Sequence, residues 1–208
     1  MVSGSPFSLT HVLLFVAVAA AVYLFRWYSM RRRHGDWSTF AARYDWVFSR
    51  SWGSLEVQGL HQGRQFSLLT ESRGSGNNER RVTVVRLELG DALPSELTLE
   101  PEGLGDRFLK LFGKNDEEVG DAELDEALDL RNVTPESRAV LRAPRVRQQL
   151  LALKEHYARF SIVGGLLEAE QHGVPDTVAE LEQLVAPALA LSKALDEAAG
   201  PSRRRARA

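Results

Sequence analysis

Seven carboxylates stand in the eleven positions from Asp116 to Glu126. Carboxylate oxygens are the ligands that hard cations such as Ca²⁺ and Mg²⁺ prefer. Asp121, Glu123 and Asp125 are therefore candidate metal ligands, and pairs of them are candidates for general acid and base catalysis. The segment lacks the Gly and Glu that an EF-hand loop starting at Asp121 would need at its sixth and twelfth positions. A solvated loop followed by the acid-rich start of a helix explains the same residues.

The other reactive residue types form no recognised catalytic or phosphate-binding pattern. No two of the five histidines have the spacing of a metal site. Ser75, the serine closest to a nucleophile elbow, lacks the Gly-x-Ser-x-Gly order, and Gly113-Lys114 lacks the flanking residues of a phosphate loop. The chain contains no cysteine, which removes disulfides, thiolate metal sites and cysteine nucleophiles. We therefore predict no catalytic residue and no cofactor, and the metal-ligand candidates are limited to the three acidic residues.

Charge is distributed unevenly along the chain. The formal net charge is −2, but eight arginines lie in the first 35 and last eight residues, where there is no acidic residue. Removing these eight from 26 basic residues leaves 18 against 28 acidic ones, so the intervening segment carries about −10. Because an acidic body repels phosphate backbones, we expect no nucleic-acid partner for the folded domain.

An apolar segment near the N-terminus is typical of a transmembrane helix. Residues 9–25 contain no charged side chain, and at 1.5 Å per residue they span roughly 25 Å, which the flanking residues extend to the ~30 Å of a hydrocarbon core. Aromatic rings suit the headgroup level, and arginines can extend toward it. The predicted membrane-facing residues are Tyr23, Arg26, Trp27, Tyr28, Arg31, Arg32 and Arg33.

The order of charge and apolar residues predicts the orientation in the membrane. A cleaved signal peptide is the alternative, but signal peptides place their positive charge before the apolar stretch, and here the arginines follow it. The positive-inside rule then predicts a single-pass cell-membrane protein with its N-terminus outside and its C-terminal domain in the cytoplasm.

We divide the chain by its patterns into four parts. The anchor covers residues 1–30, a basic juxtamembrane linker covers 31–36, one soluble domain covers 37–199, and a disordered Arg-rich tail covers 200–208. Asp36 is the predicted N-cap of a helix from Trp37 to Tyr44. A domain of about 165 residues with 44% hydrophobic and 26% charged residues in the whole chain is typical of one globular core.

Alternating apolar residues and glycine turns predict the strands. One hairpin turns at 60–64 and a second at Gly164-Gly165, since glycine accepts the positive φ that a two-residue turn needs. Further strands are predicted at 82–89, 97–99 and 128–133.

Helical spacing predicts helices at 104–112, after Thr134, after Pro144, and from Val178 to Leu195, where Pro187 is a potential kink. The predicted fold class is α+β: an N-terminal transmembrane helix followed by one domain of antiparallel strands and packed helices.

The combination of anchor, glycine-containing strand pair and acidic element resembles a loose group of bacterial single-pass membrane-anchored α+β domains of unknown function. The residues that carry the resemblance are Gly59, Gly63-Arg64 and the element Gly120-Asp121-Ala122-Glu123-Leu124-Asp125, within about 37–195. Leu124 stands where members of that group commonly have an aromatic residue. The resemblance implies the architecture and no activity.

Two function hypotheses follow. The first is a noncatalytic binding or scaffolding module at the cytoplasmic face of the membrane, with an unknown protein partner. The second is a metal-assisted hydrolase that uses the acidic segment 116–126. The bilayer is a predicted partner through the N-terminal helix, and anionic lipid headgroups are predicted partners of the tail residues Arg203, Arg204, Arg205 and Arg207.

Overall fold

The computed structural model describes residues 9–51, 53–101 and 117–206. The predicted helix at 104–112 and the first of the seven carboxylates, Asp116, lie outside the described residues. In chain order the helices are α1 (Leu9–Arg43), α2 (Ala122–Ala127), α3 (Pro135–Leu141), α4 (Pro144–His156) and α5 (Val178–Ala206). The strands are β1 (Val47–Ser51), β2 (Ser54–His61), β3 (Arg64–Arg73), β4 (Arg80–Glu88), β5 (Thr98–Pro101), β6 (Leu128–Arg131), β7 (Arg159–Val163) and β8 (Leu166–His172).

The strands form one eight-stranded sheet in the order β1-β2-β3-β4-β8-β7-β5-β6. Every pair of neighbouring strands is antiparallel. The two hairpin predictions are confirmed, since β2 pairs with β3 and β7 with β8. Both central residues of each turn have positive φ, at Gln62 and Gly63 (53° and 79°) and at Gly164 and Gly165 (62° and 73°). Such turns match the twist of the strands that they connect. The α+β fold with antiparallel strands is therefore confirmed.

The helices pack on one face of the sheet and form the core with it. Trp37 and Phe40 of α1, Leu150 and Leu153 of α4, and Leu181 and Val185 of α5 are buried there. Phe66, Leu68, Val85 and Leu87 meet them from the sheet. The C-terminal third of α1 is thus part of the domain.

The N-terminal helix differs from the prediction. We expected a linker at 31–36 and a new helix capped by Asp36, but α1 continues without interruption from Leu9 to Arg43. The sequence between Tyr28 and Trp37 contains no proline, and Arg32 lies 4.0 Å from Asp36 one turn later, a spacing that suits a helix surface. The local N-cap signal is therefore overridden by a continuing helix.

The last helix is also longer than predicted. Pro187 does not end α5, and the helix extends to Ala206, although we predicted disorder for 200–208. Arginine and alanine, which make up most of 202–206, are strong helix formers, which explains why a helix continues there.

Candidate functional site

The N-terminal half of α1 carries exposed apolar side chains along its whole length. Every residue from His11 to Phe25 is exposed, and the helix is long and apolar enough to cross a membrane. Tyr23, Trp27 and Tyr28 are exposed near the end of this apolar stretch. The guanidinium of Arg31 lies 5.1 Å from the centroid of the Trp27 ring, a cation–π distance. The side chain of Arg26 lies outside what the structure describes.

Polar contacts join the C-terminal part of α1 to the rest of the domain. Arg33 forms an ion pair with Asp176, and Trp37 Nε1 donates a 3.0 Å hydrogen bond to the carbonyl oxygen of Pro175. Farther along, Arg43 Nη1 lies 2.6 Å from Glu182 Oε1. Arg33 and Trp37 thus contact the loop before α5, whereas Arg43, farther along α1, contacts the first turns of α5. The two helices therefore run in the same direction.

His34 links α1 to the first strand. Its Nδ1 lies 3.2 Å from Nη1 of Arg50 on β1. Burial, together with the positive charges of Arg50 and Arg33, lowers the pKa of His34 below its ordinary value. The neutral imidazole is thus favoured, and it can accept a hydrogen bond from the guanidinium.

The acidic segment is held together by internal hydrogen bonds. The Asp125 carboxylate accepts three from the backbone N–H groups of Val119, Gly120 and Asp121, at 2.8, 3.0 and 3.0 Å. Asp121 caps α2 by accepting a hydrogen bond from Leu124 N at 3.2 Å. These carboxylates thus stabilise a loop and a helix start.

Arg147 of α4 engages one carboxylate oxygen each of Asp121 and Glu123. Its Nε lies 2.7 Å from Asp121 Oδ2, and its Nη2 forms an ion pair with Glu123. Burial alone would raise the pKa of Asp121, but the hydrogen bond from Leu124 and the ion pair with Arg147 hold the pKa below its ordinary value. A cation at this position would have to compete with a guanidinium already in place.

The three acidic candidates therefore lie close together but are already engaged. Among the residues that the structure describes, no group of three or more potential ligands is arranged to hold a metal ion. The described part of the acidic segment therefore provides no set of metal ligands for the hydrolase hypothesis.

The other face of the sheet carries alternate residues of the same strands. The register places Gln58, Ser67, Arg86 and Glu168 in one row across β2, β3, β4 and β8. Because side chains alternate along a strand, this row points away from the helices. We call this surface the open face. Sequence patterns predicted the strands of the open face. They could not predict this row, because the row depends on the order in which the strands pair, and local patterns do not contain that order.

A network of five charged side chains occupies the middle of the open face. Arg86 bridges Glu168 at 2.8 Å and Glu71 at 3.0 Å. Arg73 bridges Glu71 at 2.9 Å, Glu170 at 3.4 Å and Glu168 at 3.5 Å. The hydrogen bond with Glu168 raises the pKa of Arg86, and the network lies over Val82 and Val84, which are fully buried. The network explains how an open sheet face keeps two valines out of water.

An apolar patch lies at one end of the open face. Among the described residues outside α1, the exposed large hydrophobic side chains are Tyr44, Val47, Leu60, Val163 and Leu166. The register puts the last four on the open face, in its two rows nearest the β2–β3 and β7–β8 turns. Their exposed fractions are 69, 63, 50 and 40%. These four residues form two pairs, Val47 with Leu60 and Val163 with Leu166, on either side of Gln65 and Glu88. Exposed apolar side chains rimmed by polar ones are typical of a binding site.

A groove of about 650 Å³ includes part of this patch and reaches Arg86 of the charged network. Its lining includes Val47, Leu60, Gln65, Arg86, Glu88 and Leu166. Polar and apolar side chains thus share the lining, a combination that can contact both kinds of group on another molecule. The groove is formed by residues of the sheet strands, whose backbone hydrogen bonds hold its shape.

Comparisons of the chain with protein-family models, curated proteins and solved structures give no match. The resemblance to membrane-anchored α+β domains accordingly stays a prediction.

Proposed function

We propose that the chain is a single-pass cell-membrane protein whose cytoplasmic domain is a noncatalytic binding or scaffolding module. The observation that carries this proposal is the continuity of α1. One helix is exposed and apolar from His11 to Phe25 and fully buried in the domain core at Trp37 and Phe40. The apolar segment is expected to lie in a bilayer. Because the same helix continues into the domain core, the membrane anchor and the domain are one continuous structural unit.

The cytoplasmic orientation rests on the arginines. Four of them follow the apolar stretch closely, which supports a domain on the inner side by the positive-inside rule. Because the chain contains no cysteine, single-cysteine variants have no background labelling. We expect Ser3→Cys to react with an impermeant maleimide on intact cells, and Ser72→Cys, in the domain, to react only after lysis.

The opposite labelling pattern would contradict the orientation. The anchor is tested separately on membranes washed with alkaline carbonate, where the full-length chain should stay in the pellet. Release into the supernatant, or an N-terminal truncation seen by mass spectrometry, would overturn the anchor and favour a cleaved signal peptide.

The open face supplies the binding surface in this proposal. Its four strands β2, β3, β4 and β8 carry five glutamates and three arginines on that side, and the domain as a whole is acidic. A complementary partner is a protein segment with apolar side chains for the patch and basic side chains around them.

A photoreactive amino acid at Leu60 tests this surface in cells. We expect a discrete adduct with a protein at Leu60, none at the control position Gln148 on the exposed side of α4, and loss of the Leu60 adduct in Leu166→Glu. Equal adducts at the two positions, or an adduct that survives Leu166→Glu, would contradict the use of the patch.

A further inference from the structure

The domain carries a basic surface at the end of the sheet nearest the anchor. β1 follows α1 after a short turn, and the Trp46 ring lies 5.8 Å from Phe40 and 4.5 Å from Tyr44 between centroids. Four residues later Arg50 contacts His34. β1 therefore runs back along α1 toward the apolar segment. Because all neighbouring strands are antiparallel, β1, β3 and β8 end at this side of the sheet and β2 and β4 begin there. We call this side the membrane-proximal end.

Three exposed arginines from separate parts of the chain meet at the membrane-proximal end. They are Arg50 of β1 and Arg80 and Arg81 of β4. Arg81 Nη2 donates a 2.6 Å hydrogen bond to the carbonyl oxygen of Gly53 in the β1–β2 turn. The backbone oxygen of Arg81 accepts a 2.9 Å hydrogen bond from Gly173 N, at the start of the loop whose Asp176 pairs with Arg33. The three guanidiniums thus share one end of the domain with the arginines of α1.

The acidic residues at this end do not cancel the charge. They include Asp36, Glu79, Asp176 and Glu180. Asp36 lies 4.0 Å from Arg32, Asp176 pairs with Arg33, and Glu180 accepts a hydrogen bond from the backbone N–H of Asp176. Counting Arg31, Arg32 and Arg33 with the three domain arginines gives six positive charges against these four negative ones. The segment between Asp36 and Gly200, by contrast, carries about −10. The domain is therefore electrically polar, with its positive end toward the anchor.

Helix geometry brings this end within reach of the headgroups. Arg50 lies level with His34, six residues beyond Tyr28, which corresponds to about 9 Å along α1. The polar region of a leaflet extends roughly 5–8 Å beyond the hydrocarbon core, and an extended arginine side chain covers the remainder. The Arg-rich tail is much farther away, because residue 203 lies about 37 Å along α5 from its start.

We propose that Arg50, Arg80 and Arg81 dock the membrane-proximal end of the domain onto the anionic headgroups of the bilayer that α1 crosses. This inference rests on the proposed anchor. Docking orients the domain, because the negative surface attracts the basic end and repels the acidic remainder. The apolar patch of the open face, at the opposite end of the same strands, is then held away from the membrane and toward the cytoplasm.

The test uses the full chain inserted in lipid nanodiscs. A fluorophore on Ser75→Cys, in the β3–β4 loop, reports the membrane-proximal end, and one on Ser95→Cys, near the opposite end, is the control probe. The measured quantity is quenching by a lipid whose headgroup carries a quencher. We expect stronger quenching at Ser75 in discs containing phosphatidylglycerol than in discs of phosphatidylcholine alone, and no such difference at Ser95.

The triple variant Arg50→Gln, Arg80→Gln, Arg81→Gln should lose the lipid dependence. Each arginine near an anionic surface favours the docked state about fivefold, so the triple variant weakens docking on the order of 100-fold. The matched control Arg138→Gln, Arg142→Gln, Arg145→Gln removes the same charge from exposed positions in α3, in α4 and between them, and should keep the dependence. The variant with lysine at 50, 80 and 81 should also keep it, and high salt should abolish it in the unmodified chain.

Quenching at Ser75 that is the same in both lipids, or that is unchanged in the glutamine triple variant, would overturn docking even though the protein is inserted. Failure of the anchor gives a different result, because the unmodified protein would then wash off carbonate-treated liposomes. Should the glutamine variant unfold, the salt dependence of the unmodified chain decides the question. Salt-insensitive quenching contradicts docking.

Discussion

The indole Nε1–H of Trp37 donates a 3.0 Å hydrogen bond to the carbonyl oxygen of Pro175, and this contact fastens the buried end of α1 to the loop that leads into α5. The ring is fully buried beside Phe40 in the core. The same helix is exposed and apolar three turns earlier. Trp37 is therefore one of the side chains that join the apolar part of α1 to the fold.

Trp37→Ala should destabilise the domain strongly. Truncating a fully buried aromatic side chain removes apolar contacts and leaves a cavity, which costs about 3–5 kcal/mol of unfolding free energy. Urea denaturation of the full chain in detergent measures it. Trp27→Ala is the matched control, because Trp27 lies on the same helix with 51% of its surface exposed, and we expect it to leave the unfolding free energy of the domain unchanged. Equal effects of the two substitutions would contradict the packing of α1 into the core.

Gly59→Ala should destabilise the β1–β2 region. A Cβ at Gly59 would lie 2.0 Å from Cδ1 of Trp46, whose ring stacks on Phe66 at 4.1 Å and whose Nε1 donates to Leu60 O at 3.0 Å. Because the ring is held on two sides, it cannot move away freely, and overpacking of this kind costs about 1–3 kcal/mol.

Gly35→Ala is the opposite case and serves as the control. Gly35 lies inside α1 with no atom within 4 Å of an added Cβ. Alanine is favoured over glycine in a helix interior by roughly 0.8–1 kcal/mol, so thermal denaturation should show a stabilised or unchanged domain. Destabilisation by Gly35→Ala would argue that α1 does not continue through residue 35.

Local patterns predicted most elements because their signals are contained within a few residues. The Gly164-Gly165 turn accepts positive φ at both positions, and Thr134 forms a capping box with Ser137 at the start of α3. β1 was missed because four of its five residues are exposed and the strand lacks regular alternation of apolar residues. The apolar patch was also missed, since Leu60 and Leu166 come to lie in the same row of one sheet face only through the pairing order β2-β3-β4-β8. That order depends on contacts far apart in sequence, which periodicity does not encode.

Asp125→Ala should destabilise the domain without any effect of metal ions. The substitution leaves the N–H groups of Val119, Gly120 and Asp121 without their carboxylate acceptor. A hydrogen bond to a charged group contributes about 1.5–3 kcal/mol, so we expect a loss of roughly 2–3 kcal/mol after solvation of the freed groups. Glu126→Ala, at the neighbouring exposed position, should change the unfolding free energy little.

The same two variants test the metal hypothesis. If the acidic segment is purely structural, millimolar Ca²⁺ or Mg²⁺ leaves the Tm of the unmodified chain and of both variants unchanged. A rise in Tm of the unmodified chain that Asp125→Ala abolishes would instead restore the metal-assisted hydrolase as a hypothesis.

The ion pair between Asp121 and Arg147 should give a pH-dependent contribution to stability. The folded-state pKa of Asp121 lies below its ordinary value of 3.8, because the Leu124 N–H and Arg147 favour the carboxylate more than burial opposes it. A lowered folded pKa stabilises the fold above the unfolded pKa, and this contribution is lost as pH falls through the folded value. Arg147→Gln removes the partner and raises the folded pKa toward the ordinary value. The difference in unfolding free energy between the unmodified chain and Arg147→Gln should therefore be constant from pH 5 to 7 and decrease below about pH 4.

Urea titrations across this pH range measure the difference in unfolding free energy. Arg138→Gln, at an exposed arginine on α3, is the control, and its difference from the unmodified chain should not change with pH. A difference for Arg147→Gln that grows as the pH falls would show that the guanidinium does not stabilise the ionised carboxylate.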